Sequence, residues 1–124
     1  KVMSFAPDTK IVLCHAGSPA DRSEHGLEKW SRDLRLLSDM DNIFCKLSGL
    51  GMFDHNWTEN SIAPIVNECL QQFGPSRCMF GSNFPVDSLY SDYSSLIKAY
   101  RKLIPKLAYE TVFDKTARDF YKIH

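Results

Sequence analysis

The chain has 124 residues, and its 15 lysines and arginines balance 15 aspartates and glutamates, so the formal net charge is zero. A chain of this length makes at most one domain with a core of moderate size. The balanced charge argues against a nucleic acid or an anionic membrane surface as a partner. The longest apolar runs have about six residues, far fewer than the ~20 that span a bilayer. Residues 1–9 show no charged-then-apolar pattern of the kind that a secretory leader has. These features therefore give no support for a nucleic-acid or membrane partner.

The predicted elements alternate between strand and helix. Residues 2–6 have the pattern of a helix tail that Pro7 ends, and Lys1 is no translation start, so we expect a piece of a longer protein. Strand-like apolar runs start near residues 10, 43 and 78, and this repeat of roughly 35 residues is the size of a βα unit. Helical patterns follow each run, one around Trp30, one with Ser61 as N-cap and Pro64 in its first turn, one from near Ser91 to Pro105, and a last one from Tyr109.

Strands that are apolar on both faces and alternate with helices indicate the parallel sheet of an α/β protein. Such a short sheet is not expected to be stable by itself, because its edges expose unpaired backbone groups and its apolar faces must be buried against other elements. The order therefore favours the last three βα units and the closing helix of a TIM (β/α)8 barrel. Residues 1–124 would then form the C-terminal portion of one barrel domain. The alternative is a small open α/β sheet.

The four cysteines, at positions 14, 45, 69 and 78, include no Cys-x-x-Cys pair. Three lie in strand-like runs and the fourth lies on the apolar face of a helix, which predicts buried free thiols. Free thiols are typical of a reducing compartment, so we expect a cytoplasmic protein.

Polar residues follow the predicted strands at the end where parallel barrels carry their active sites. His15 ends the first run on the face of Ile11 and Leu13, and it can bind a metal, hold a substrate oxygen or transfer a proton. The alternative is a structural histidine. Asn83 follows the third run, but an amide cannot act as a general base. Asp87 is the nearest carboxylate, and it either serves the site or caps a turn.

Three further residues are predicted to bind substrate. Lys46 and Ser48 share one face of the middle strand, where a lysine is costly unless it is paired or reaches a wet pocket. It therefore binds an anionic substrate group or forms a structural ion pair. Trp57 lies in the loop of residues 52–60, which is either a substrate lid or surface cover. Asp21 and Arg22, in the loop after the first strand, are expected to be solvated or to cap the next helix.

Several strings of this sequence resemble the last third of amidohydrolase-related (β/α)8-barrel hydrolases, in the branch that includes sugar lactonases and dicarboxylate lactonases. They are PDTKIVLCHAG-x-P at residues 7–19, the helix that contains Trp30, CKLSG at 45–49, RCMFGSNFPV at 77–86 and F-x-x-T-A-R-x-F-Y at 113–121. The resemblance covers nearly all of this chain but less than half of the family's domain.

The resemblance implies that the three predicted strands are the sixth, seventh and eighth of the barrel. His15 then matches the sixth-strand histidine, which contacts metal or substrate in the family. Asn83 falls where many members carry an aspartate that acts as general base and sometimes as metal ligand. Because asparagine cannot deprotonate water, Asp87 substitutes for it, the mechanism differs, or activity is lost. The paired histidines of the family's first strand have no counterpart in this sequence.

The leading hypothesis is therefore a hydrolase that opens a lactone, or a related cyclic ester or amide, with a metal-activated or carboxylate-activated water. The resemblance implies a divalent metal, zinc first, with His15 as the ligand from this chain. The fragment alone would be inactive, because the remainder of the barrel, or another chain, must complete the fold. The alternative is a non-catalytic α/β binding module, in which Asn83 marks a degenerate barrel that binds a small molecule or a partner.

Overall fold

The computed structural model describes residues 8–123, in which three short strands form one parallel sheet in the order β1-β2-β3. The strands are β1 (Ile11–Leu13), β2 (Ile43–Leu47) and β3 (Cys78–Phe80). The helices are α1 (Glu24–Ser38), α2 (Glu59–Phe73), α3 (Tyr93–Leu103) and α4 (Thr116–Tyr121), and a π-helical turn (Thr111–Lys115) leads into α4. The predicted parallel α/β arrangement is confirmed. The helix tail predicted for residues 2–6 lies outside the described residues.

The two faces of the sheet have different environments. Ile43, Cys45 and Leu47 are fully buried on the face that α1 and α2 cover. Because side chains alternate along a strand, Phe44 and Lys46 project from the opposite side, which we call the α4 face. Its other members are Val12, Ser48 and Met79, and the closing helix α4 reaches this face, where the ring of Phe120 lies 5.0 Å from that of Phe44.

Helix α2 begins at Glu59, one residue after the cap Thr58. The hydroxyl of Thr58 accepts a hydrogen bond from the backbone N–H of Ser61, and the hydroxyl of Ser61 accepts one from the N–H of Thr58. The prediction that Ser61 is the N-cap is therefore wrong, because Thr58 and Ser61 form a capping box in which Thr58 is the N-cap and Ser61 is the third helical residue. Pro64 consequently lies in the second turn rather than the first.

Two side chains fasten the chain at the start of β3. Arg77 donates to the carbonyls of Ser38, Met40 and Ile43, which ties the end of α1 to the sheet. Thr116 donates to the carbonyl of Pro75 at 2.8 Å and so holds α4 at the same end. Within residues 8–123, no helix is both long enough and apolar enough to cross a membrane.

The thiols follow the sequence prediction with one exception. Cys45, Cys69 and Cys78 are free and buried, as expected. Cys14 is exposed, because β1 ends at Leu13 and the chain turns there. The predicted burial of Cys14 is therefore wrong.

Candidate functional site at the carboxyl ends of the strands

The chain leaves β1 through a left-handed turn. His15 and Ala16 have φ values of 55° and 53°, so the strand alternation predicted for His15 stops at Leu13. The indole of Trp30 in α1 donates to the carbonyl of Ala16 at 2.8 Å and holds this unusual backbone. As a result the His15 ring reaches Ser48 on the α4 face and does not lie on the face of Leu13.

His15 and Ser48 form a hydrogen-bonded pair that joins the ends of β1 and β2. Nδ1 of His15 lies 2.9 Å from Oγ of Ser48, and either atom can donate. Ser48 is only 2% exposed. On its other side it meets Gly81, where an added Cβ would lie 3.2 Å from the Cβ of Ser48. Ser48 therefore links the ends of all three strands.

Asn83 and Asp87 form a second pair after β3. Asn83 has a left-handed backbone with φ of 57°, a conformation that asparagine and aspartate tolerate better than most residues. Its Nδ2 donates to Oδ1 of Asp87 at 2.8 Å, and the N–H of Asp87 donates to the carbonyl of Asn83 at 3.0 Å. The two residues thus fix each other's position.

The carboxylate of Asp87 is nearly enclosed, since the residue is 2% exposed. Among residues 8–123, every fully buried side-chain oxygen or nitrogen has a hydrogen bond. Oδ2 of Asp87 has none from the described residues, so it retains contact with solvent. Burial raises the pKa of the Tyr100 phenol in α3, and the fields of Cys69 and Asp87 raise it further, so this hydroxyl stays neutral.

Lys46 and Trp57 contact residues outside the His15–Ser48 and Asn83–Asp87 pairs. Nζ of Lys46 donates to the hydroxyl of Tyr121 in α4 at 2.7 Å and lies 5.2 Å from the centre of that ring. The indole of Trp57 is half-buried against Gly51, where an added Cβ would meet it at 3.1 Å. The predicted roles of Lys46, Ser48 and Trp57 in substrate binding stay predictions.

Arg22 joins two of the loops at this end of the sheet, although its place in a polar loop predicted that it would be solvated or would cap the next helix. Its Nε donates to the carbonyl of Pro19 at 2.6 Å, and its Nη2 donates to the carbonyl of Leu50 at 3.4 Å. Burial lowers the pKa of the guanidinium, an effect that the nearby charge of Asp54 opposes. An isolated arginine in a polar loop carries no sequence signal for such a bridge.

The described residues do not by themselves fit a metal ion. Within residues 8–123 there is no group of three or more histidine, cysteine, aspartate or glutamate side chains that could hold one. His15 and Asp87 belong to separate hydrogen-bonded pairs, and the partners Ser48 and Asn83 are weak ligands for zinc.

Comparison with known proteins assigns the chain to a family, because residues 1–123 match the amidohydrolase family. The chain belongs to the amidohydrolase family. It is 39% identical over 120 residues to the uncharacterized protein y4mH of Sinorhizobium fredii, covering 94% of this chain and 40% of that protein. It is also 36% identical over 104 residues to L-fucono-1,5-lactonase of Burkholderia multivorans, covering 73% of this chain and 35% of the lactonase.

A solved structure agrees with the fold. The crystal structure of an amidohydrolase from Burkholderia multivorans with bound zinc superposes with a TM-score of 0.90 at 27% identity, and the match covers 99% of this chain and 47% of that one. This chain thus spans less than half the length of the relatives it matches. The resemblance to lactonase-like amidohydrolases is confirmed.

Proposed function

We propose that this chain is the C-terminal portion of a (β/α)8-barrel hydrolase, made of its last three βα units and the closing helix. The parallel order β1-β2-β3 supports this, since consecutive barrel strands are neighbours. The match to less than half of each relative supports it as well. By itself the chain would be inactive, because the strands and loops that complete a barrel would come from elsewhere.

The proposed reaction of the complete protein is the opening of a lactone by water. The single observation that carries it is the Asn83–Asp87 pair after β3, which keeps a carboxylate at the end of the sheet where barrel enzymes carry their chemistry. A relative that is named L-fucono-1,5-lactonase supports sugar 1,5-lactones as the substrate class. Small-molecule hydrolysis also agrees with the balanced charge of the chain.

The proposed roles follow from the side-chain atoms of Asp87 and His15 that make no hydrogen bond to other described residues. Oδ2 of Asp87 takes a proton from water as the water oxygen attacks the lactone carbonyl, and Asn83 keeps that carboxylate in place. His15 stabilises the negative charge that develops on the carbonyl oxygen. When the ring C–O bond breaks, Asp87 returns the proton to the leaving oxygen, and the product is an open hydroxy acid.

A divalent metal stays a prediction for the complete protein. A zinc-bound relative supports it, but the described residues do not supply a ligand set, so the proposed steps use none. A cytoplasmic location also stays a prediction, and it rests on the free cysteines.

The test is hydrolysis of a panel of sugar 1,5-lactones, L-fucono-1,5-lactone included, by the complete protein and two matched variants. We expect Asp87→Asn to lower kcat by about 10²–10⁴-fold, the usual contribution of a general base. Asp33→Asn, at an exposed position in α1, should leave kcat unchanged. Equal kcat values for Asp87→Asn and the wild type would contradict the proposed role of Asp87.

The second candidate function is binding without hydrolysis, which the amide of Asn83 favours because it cannot take a proton. This candidate predicts a wild-type protein that binds lactones or hydroxy acids but turns none over. Asn83→Asp should then create hydrolysis. In a working lactonase the same variant should instead lower turnover, since it places two carboxyl groups where a donor and an acceptor now meet at 2.8 Å.

A further inference from the structure

Ser48 stands out because its hydroxyl contacts a candidate catalytic side chain while the residue itself is almost inaccessible. Its Oγ lies 2.9 Å from Nδ1 of His15, and the residue is 2% exposed. A group that binds substrate must reach the solvent side of a site, and so must a nucleophile. Ser48 therefore suits neither role well.

The surroundings of the His15 ring leave it little freedom. A Cβ added at Gly49 would lie 2.5 Å from Nδ1, 2.9 Å from Cγ and 3.0 Å from Cε1, so the ring lies directly against the Gly49 backbone. The left-handed backbone of His15 is held by the hydrogen bond from Trp30 to the neighbouring residue Ala16. In this position against Gly49, the His15 ring makes one side-chain hydrogen bond with the described residues, and it is with the hydroxyl of Ser48.

Ser48 is itself confined, which makes it a suitable anchor. It follows the last residue of β2, and Gly81 after β3 approaches its Cβ so closely that an added methyl would lie 3.2 Å away. The N–H of Gly81 also donates to the carbonyl of Leu47 at 3.0 Å, which keeps the two strand ends together. The position of the hydroxyl is therefore determined by the sheet.

We infer that Ser48 is a positioning residue that fixes the ring of His15 through Nδ1 and leaves Nε2 as the atom that meets the reactant. This inference deepens the proposed function and rests on it for the identity of the reactant. For the oxyanion role of His15, Ser48 donates its proton to Nδ1, so that Nε2 carries the ring hydrogen and can donate to the carbonyl oxygen. The hydroxyl acts through His15 and does not touch the substrate.

The experiment combines kinetics with NMR of the histidine ring nitrogens in the complete protein. For Ser48→Ala we expect kcat for L-fucono-1,5-lactone to fall about tenfold, the effect of one lost hydrogen bond. KM should stay within about twofold of the wild-type value, because the variant removes no contact that binds the substrate before the reaction begins. Ser48→Cys, which adds no branch in this confined space and keeps a weak hydrogen-bond donor, should lose less of kcat than Ser48→Ala. Ser76→Ala, at an exposed serine, is the control and should match the wild type.

The NMR measurement is independent of turnover, so it decides the inference even if the complete protein opens no lactone. The His15 signals, assigned by their loss in His15→Gln, should show hydrogen on Nε2 alone in the wild type and a mixture of tautomers in Ser48→Ala. Unchanged ring signals in Ser48→Ala would overturn the inference. A raised KM with intact kcat would also overturn it in favour of substrate binding, and a covalent acyl adduct on Ser48 would do so in favour of a nucleophile.

Discussion

Gly49 shows how closely one backbone position is matched to the candidate site. Its φ of 64° belongs to the left-handed region, where a side chain is strained, and the His15 ring occupies the space that a Cβ would take. A bulkier residue would have to move the ring or the end of β2. Glycine at this position therefore serves both the turn and the approach of His15.

We predict that Gly49→Ala displaces His15 and lowers kcat of the complete protein by more than about tenfold, because a 1 Å misplacement of a reacting group can cost ~10²-fold. Gly74→Ala is the matched control, since Gly74 also has a positive φ, 75°, but an added Cβ there would meet nothing within 4 Å. Both variants should unfold at a lower temperature, as backbone strain costs about 1–3 kcal/mol. Equal kcat values for the two variants would contradict the role given to Gly49.

At the level of elements, the thiols of β2 and β3 lie side by side beneath α2. Cys45 and Cys78 are register partners on adjacent strands, and both are buried. Hydrogen bonding to Cys69 and burial raise the pKa of Cys45, while hydrogen bonding to Cys45 and burial raise that of Cys78. These two thiols stay protonated in the folded protein at pH values where exposed thiols ionise.

The raised pKa values of Cys45 and Cys78 predict that the folded protein loses stability at alkaline pH. Above about pH 8.5 the unfolded chain releases thiol protons that the folded chain retains, so the free energy of unfolding falls as pH rises. Each such thiol contributes a slope of up to about 1.4 kcal/mol per pH unit. Urea unfolding of the complete protein in a reductant, from pH 7 to pH 10, should show this slope, and Cys78→Ala should reduce it.

Cys14→Ala is the control for that experiment, because the Cys14 thiol is exposed and lies in solvent before and after unfolding. Its slope should equal that of the wild type. A free energy of unfolding that does not change with pH would show that the buried thiols do not affect stability. A slope for Cys78→Ala as steep as that of the wild type would show the same for Cys78.

The same elements show what the sequence predicts and what it misses. Apolar runs and helical periodicity located all three strands and the helices between them, because these patterns follow from burial on one or two faces. The same patterns gave no sign of the left-handed backbone at His15, since neither His15 nor Ala16 is a residue type that demands it. The hydrogen bond from Trp30 to Ala16, 14 positions away in sequence, holds that turn, and Arg22 reaches Leu50, 28 positions away.

At the scale of the whole molecule, the closing helix is joined to the sheet by a pair of residues far apart in sequence. Lys46 of β2 donates to the hydroxyl of Tyr121 at 2.7 Å, and Phe44 and Phe120 pack edge to face beside them. Within residues 8–123, β1 and β3 each pair with β2 alone, so both outer edges of the sheet are free of strand partners. Unpaired edges favour completion by further strands.

The last prediction separates the two roles open to Lys46. If the lysine serves the closing helix, Lys46→Met should lower the free energy of unfolding of the complete protein by about 1 kcal/mol, the net value of one hydrogen bond, and should leave the KM for lactones unchanged. Tyr121→Phe should have a similar cost, and the double variant should cost less than the sum of the two, since both changes remove one interaction. A rise in KM for Lys46→Met alone, with additive stability effects, would instead assign the ammonium to substrate binding.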